Sequence, residues 1–181
     1  MKIISGKYRN RDLKNLKNDN TRATSQMVKE AIFNMISPYL NYNTFLDLFA
    51  GTGNLGFESF SRGYNNGYFV DNNKEALNTI KYNNKLLNEK GIILNKDYLK
   101  ALEYFKNNNI KFDLIFLDPP YKLRILEEII KLISYYDLLL NNGIIVLEYD
   151  VNYKINLDNI NYNVIKNKTY KIRNITVLRK E

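Results

Sequence analysis

Short apolar runs alternate along this chain with stretches in which apolar positions recur every three or four residues, and the alternation becomes regular at Thr44. Phe45 to Phe49 reads as a strand, Asn54 to Arg62 as a helix closed by Gly63, and Tyr68 to Val70 as a second strand ending in Asp71. The spacing predicts a long helix from Asn73 to Asn88 with Ala76, Leu77, Ile80, Leu86 and Leu87 inward, then a short strand over Ile92 to Leu94 after Gly91. A helix from Tyr98 to about Asn107 leads to the run Leu114 to Leu117, announced by Asp113 and stopped by Pro119 and Pro120. Leu123 to Tyr135 follows as a helix, Gly143 opens the strand Ile144 to Glu148, and runs around Val164 and Ile175 are expected to pair as an edge hairpin. The Asn-rich patches at 65–66, 107–109 and 141–142 read as loops.

Alternating strands and helices of these lengths predict an α/β protein, a Rossmann-like, mostly parallel sheet with helices on both faces and an antiparallel C-terminal hairpin. Residues 41–181 form this expected main domain. Residues 1–40 read as a small basic extension packed on it: Lys2 to Ser5 pairing with the segment around Leu13, then a helix capped by Thr24 or Ser25, striped by Val28, Ile32, Met35 and Ile36, and ended by Pro38.

The candidate chemistry sits at strand ends. In an open α/β sheet ligands bind outside the carboxyl ends of the strands, which is where Asp118-Pro119-Pro120-Tyr121 falls. A carboxylate, a Pro-Pro unit without donor hydrogens and an aromatic ring suit a planar base bearing an exocyclic NH2. Asp118 and the Pro119 carbonyl would each accept an amine hydrogen while Tyr121 stacks on the ring. The same four residues also suit an ordinary loop, so context has to decide. That context starts with Gly51-Thr-Gly53-Asn-Leu-Gly56, which follows the first strong strand and opens a helix, as a nucleotide-binding turn requires. Asp71, 24 positions after Asp47, can accept both ribose hydroxyls. Asp47 within the turn entry, and Asp97 after the third strand as an acceptor for an adenine amine, complete four strand-end carboxylates with Asp71 and Asp118. Such an array favours a cationic cofactor over a pyrophosphate.

Composition narrows the chemistry. With no Cys and no His among 181 residues, Cys nucleophiles, Ser-His-Asp triads and the usual zinc sites are excluded, and no metal is expected. Lack of an apolar run near ~20 residues and of a signal-peptide core points to no membrane partner and a cytoplasmic location. AT-rich codons could supply lysines without function, but the net charge of +8 is not spread evenly: residues 1–30 and 164–181 each carry a net +5, leaving −2 between them. A polyanion-facing surface built from both termini is the reading this suggests. Lys7, Arg9, Arg11, Arg22, Thr24 and Lys29 are the nucleic-acid-binding candidates.

Phe45-Leu-Asp-Leu-Phe-Ala-Gly-Thr-Gly, Phe69-Val-Asp and Phe116-Leu-Asp-Pro-Pro-Tyr, in this order, resemble class I S-adenosylmethionine-dependent methyltransferases that act on amines. Ile3-Ile-Ser-Gly-Lys-Tyr-Arg, Thr21-Arg-Ala-Thr and Val28-Lys-Glu-Ala-Ile-Phe-Asn are similar more narrowly to the RsmD family of 16S ribosomal RNA (guanine-N2) methyltransferases, over nearly the whole chain. The chain departs from that family at Ser5 and Ala23, where its pattern has glycine and proline. The resemblance implies S-adenosyl-L-methionine as cofactor, contacted by Asp47, Phe49, Ala50, Gly51, Gly53, Asp71, Asn72, Asp97 and Tyr98, with Asp118 to Tyr121 as catalytic residues. It also implies ribosomal RNA in a 30S particle or assembly intermediate as partner of a monomer. Guanine and adenine both present an amine, so an adenine-N6 methyltransferase stays open, as does a non-catalytic RNA-binding assembly factor. An NAD oxidoreductase ranks last.

Overall fold

The computed structural model describes residues 1–16, 26–120, 123–158 and 160–181. In chain order these form α1 (Gln26–Ile36), a 3-10 turn (Ser37–Tyr39), β1 (Thr44–Asp47), α2 (Asn54–Arg62), β2 (Asn66–Asp71), α3 (Lys74–Leu87) and β3 (Ile92–Asn95). There follow α4 (Tyr98–Asn107), β4 (Phe112–Leu117), α5 (Leu126–Tyr135), β5 (Leu139–Asp150), β6 (Asn163–Tyr170) and β7 (Arg173–Arg179). The seven strands make one sheet in the order β3-β2-β1-β4-β5-β7-β6. All pairings from β3 to β5 are parallel, and β7 runs antiparallel to both its neighbours. The Rossmann-like expectation therefore holds, including the C-terminal hairpin.

Alternate residues of each strand feed two cores. Phe45, Phe69, Phe116, Val146 and Val177 face α1, α2, α3 and the first residues of the chain. Leu46, Val70, Ile115, Leu147 and Leu178 face α4 and α5. From β1 the chain winds through α2 and α3 to one side, then crosses by α4 to β4 on the other side. The order reverses between β1 and β4, and their carboxyl ends flank the crevice where such sheets bind ligands.

Local expectations fail where neighbours override pattern. Leu86 points outward, 41% exposed, while Leu87 takes the buried position. Helix α5 begins at Leu126 rather than Leu123, whose N–H donates to the Pro120 carbonyl (2.8 Å). Asn141 and Asn142 are not a loop but lie within β5, where Asn142 adopts φ 62° and the register against β4 shifts. Asn66 opens β2, and Asp113 is a buried member of β4. The expected N-terminal hairpin reduces to one antiparallel bridge, Lys2 with Asp12, flanked by hydrogen bonds such as Ile3 N–H to the Arg11 carbonyl (3.0 Å). The proposed caps Thr24 and Ser25 lie outside the described residues. Among the described residues no helix is long and apolar enough to cross a membrane.

Candidate active site

The turn from β1 into α2 is held from below by backbone. Ala50 N–H donates to the Val70 carbonyl (2.9 Å) and Gly53 N–H to the Ala50 carbonyl (2.7 Å). Gly51 N–H donates to Asp71 Oδ2 (2.8 Å), and the other Asp71 oxygen accepts from Asn73 N–H (2.8 Å), so one carboxylate ties the turn to the end of β2. Gly51 has φ 52°, and a Cβ built on it would meet nothing within 4 Å. The turn thus presents bare backbone to the space above it. At Gly56 the reason for glycine is contact: a Cβ would stand 2.1 Å from the Phe69 ring. Its absence lets the first turn of α2 sit down on β2, and Gly56 N–H reaches Asp47 Oδ2 (3.2 Å).

The four strand-end carboxylates occupy neighbouring strands and differ in state. Asp47 is only 4% exposed. Burial pushes its carboxyl up to about 8; the Gly56 N–H opposes the shift, and the charges of Asp118 and Asp71 add to it. Asp47 therefore works beneath the site surface rather than on it. Asp71 is half-buried at the rim and Asn72 beside it is exposed. Asp97 caps α4, accepting from Lys100 N–H (3.0 Å) with Lys100 Nζ at 3.6 Å, and these contacts hold it below the usual carboxylate range. Phe49 and Tyr98, both half-buried, pack with ring centroids 5.9 Å apart and join the β1 turn to the start of α4. The predicted cofactor residues are thereby gathered at one edge over β1, β2 and β3.

On the far side of the switch point, Asp118 is half-buried, Pro119 buried and Pro120 exposed. Tyr121 lies outside the described residues. The last β4–β5 pair is Leu117 with Leu147, and Asp118 and Glu148 are the residues that follow it. Glu148 is buried and ion-paired with Arg173 of β7. Sequence reasoning ended a strand at Glu148, whereas β5 runs on to Asp150 with Glu148 buried inside it. Among the described residues no group of three His, Cys, Asp or Glu side chains could hold a metal ion. A cavity of about 150 Å³ lined by Ile130, Ser134, Tyr135 and Asn161 lies against α5 and includes none of the candidate residues.

The basic candidates fare differently. Lys29 does not reach solvent: it is 2% exposed, and its ammonium donates to the Lys2 carbonyl (2.6 Å) and Asn54 Oδ1 (2.9 Å) while pairing with Glu58 Oε2 (3.2 Å). Burial pulls its ammonium below the ordinary range, with Glu58 opposing. A phosphate cannot contact it there. Lys7 is 52% exposed but paired with Glu89 (2.7 Å), at the C-terminal ends of α2 and α3. Helix α2 starts at the ligand-binding edge and rises about 13 Å over its nine residues, so Lys7 sits roughly a helix length from the candidate site. Arg9 and Arg11 are exposed in the hairpin turn, and Arg22 and Thr24 lie outside the described residues.

The residue that sequence reasoning missed altogether is Glu58. It is fully buried and accepts from Ile4 N–H (2.9 Å), Ser5 N–H (3.0 Å) and Arg62 Nε (3.0 Å) besides pairing with Lys29. Asn54, Glu58 and Ser61 line one face of α2, and Ser61 continues the row by accepting from Tyr8 N–H (2.9 Å) and donating to the Ser5 carbonyl (2.5 Å). The spacing of four and three residues was readable as a polar stripe. That the N-terminal hairpin covers it was not.

A family model described as "Conserved hypothetical protein 95" matches residues 1–179. A Bacillus subtilis protein named "Putative rRNA methyltransferase YlbH" is 42% identical over 152 residues, 83% of either chain. The "Ribosomal RNA small subunit methyltransferase D" of Haemophilus influenzae is 33% identical over 172 residues, covering 93% of this chain and 88% of its own. Among solved structures, "Putative methyltransferase yhhF from Escherichia coli" superposes with a TM-score of 0.85 at 25% identity, over 100% of this chain and 98% of that one.

Proposed function

Because the chain belongs to the family described as Conserved hypothetical protein 95, the RsmD type of class I S-adenosylmethionine-dependent methyltransferases, we propose that it methylates the exocyclic N2 of a guanine in small-subunit ribosomal RNA. Ribosomal RNA as substrate is supported by the names its relatives carry. The observation that carries the reaction type is Asp118-Pro119 at the carboxyl end of β4, directly across the switch point from the glycine turn and Asp71.

S-adenosylmethionine, when bound, supplies an electrophilic methyl group on a sulfonium. The residues present fit such a group: bare backbone at Gly51, acid at Asp71 and Asp118, and the tilted Phe49–Tyr98 ring pair. Asp71 holds the ribose hydroxyls with lone pairs left over from its two backbone contacts. Phe49 and Tyr98 would hold the adenine, and Asp97 Oδ2, beside Lys100 Nζ, would accept from its amine. Asp118 and the Pro119 carbonyl accept the two amine hydrogens of the target base, which would turn the nitrogen lone pair toward the methyl. As the N–C bond forms, the S–C bond would break to leave the neutral thioether, and the positive charge on nitrogen would be relieved by loss of one amine proton to the Asp118 carboxylate or to water. Tyr121 stacks on the flipped base, worth about 1–3 kcal/mol as in other base–aromatic contacts. The exposed hairpin cations Arg9 and Arg11 contact RNA phosphates away from the target base.

Incubation with radiolabelled S-adenosylmethionine and 30S particles lacking the modification, followed by nucleoside analysis, tests this reading. Label in N2-methylguanosine with the wild type, and at least a hundred-fold less with Asp118→Ala, is expected by the scale of lost transition-state contacts. Label in N6-methyladenosine would replace the substrate and keep the mechanism. Cofactor binding without label in 30S particles, naked 16S RNA or DNA would leave a binding factor.

A further inference from the structure

The polar row on α2 ends at the cofactor turn. Asn54 is the first residue of α2, immediately after Gly53, and its Oδ1 accepts from the buried Lys29 ammonium. The same ammonium holds the Lys2 carbonyl and Glu58, so all three of its hydrogens are spoken for. Glu58 in turn takes four donors, two of them the Ile4 and Ser5 backbone. A second contact runs in parallel, from Thr52 Oγ1 in the turn to Met1 Sδ (3.7 Å). The first residues of the hairpin are thus joined to the turn by the buried Lys29 ammonium with its acceptors and by the Thr52–Met1 contact. A buried ion pair is a poor way to gain stability, since an apolar pair of the same volume does as well or better.

We propose that Lys29, Glu58 and Asn54 are positioning residues that make the seat of the N-terminal hairpin set the start of α2, and through it the affinity of the Gly51–Gly53 turn for the cofactor. Lys29 acts at a distance from the ligand: it holds Asn54, and Asn54 opens α2 immediately after Gly53, the last residue of the cofactor turn. By reciprocity, whatever nucleic acid engages the hairpin on its exposed side alters cofactor affinity by the same factor as cofactor alters its own. The inference rests on the cofactor reading alone and not on the identity of the methylated base.

Calorimetric titration with S-adenosylhomocysteine, paired with thermal unfolding of each full-length variant, tests it. The dissociation constant is expected to rise about ten-fold in Lys29→Met and about three-fold in Asn54→Ala, the range of ordinary inter-site coupling. Asn54→Ala should do so with little change in Tm. Glu89→Gln, which loosens the opposite end of the same hairpin, should bind as the wild type does. Wild-type affinity in both Lys29→Met and Asn54→Ala, whatever their Tm, would overturn the proposal; should Lys29→Met not fold, Asn54→Ala decides by itself. A wild-type chain that binds no S-adenosylhomocysteine would overturn the cofactor reading and this inference together, so the two failures are distinguishable.

Discussion

Two lysine–glutamate pairs hold the N-terminal hairpin, one at each end, in opposite surroundings. Lys29–Glu58 is sealed under the first strand of the hairpin, with both side chains almost without solvent. Lys7–Glu89 closes the turn at 2.7 Å, with the lysine half in water. The shorter pair is the weaker one. Water and salt screen Lys7, whereas every neighbour of Glu58 has been chosen to replace water that is no longer there. Distance alone says little about what an ion pair does; the number of donors left stranded when one partner goes says more.

The largest test of that contrast is Glu58→Ala. It leaves Lys29 charged or forced neutral in a dry site and strands the Ile4 and Ser5 N–H groups, so urea unfolding should show a loss of about 3–5 kcal/mol. A loss below about 1 kcal/mol would put the buried pair on the same footing as the exposed one. Asp47 sharpens the comparison, since it is a buried acid whose charged neighbours are the carboxylates Asp118 and Asp71. Its folded value of about 8 exceeds the unfolded 3.8, so the native state keeps a proton that the unfolded state has lost between those limits. Its contribution to stability is therefore greatest at low pH and is lost as pH rises to about 8. Asn at this position cannot ionise in either state and still accepts from Gly56. Asp47→Asn should accordingly gain on the wild type as pH rises through that window, with a slope approaching about 1.4 kcal/mol per pH unit. Parallel stability curves for the two proteins from pH 5 to 8 would refute the assignment. The smallest effect belongs to Glu89→Gln, expected to lower stability by no more than about 1 kcal/mol and to do so less in high salt. A salt-independent loss of several kcal/mol there would erase the contrast.

Most of the sheet was legible because strand and helix signals are local: α2 ends at Gly63 and α4 spans Tyr98–Asn107, where the pattern put them. The strand-end carboxylates were legible for the same reason, as were the glycines between them. What failed was any judgement of which polar side chain meets water. Lys29 stands three, four and seven positions before Ile32, Phe33 and Ile36, on the buried face of α1, so its place was written in the spacing. It was read as a surface cation because charge outweighed position. Glu58 is the converse: the polar stripe of an amphipathic helix normally marks solvent, and only the fold reveals that residues 1–13 have taken the place of solvent. Asn142 shows the same limit at smaller scale, since its backbone partner, the Lys180 carbonyl, is distant in sequence.

The covering of α2 also fixes an order of events. Glu58 lies 54 residues beyond Ile4, and Glu89 lies 81 beyond Tyr8. At ribosomal speeds of roughly 5–20 residues per second, the hairpin waits several seconds after its own synthesis before either anchor exists. It leaves the ribosome early and finds its seat late, after α2 and α3 have formed and laid down on their strands. Such long closures are the slow contacts of a folding chain. The segment made early thus serves as the clasp that is fastened late, and a chain caught before that step would carry a largely built sheet whose cofactor turn still lacks its outer support.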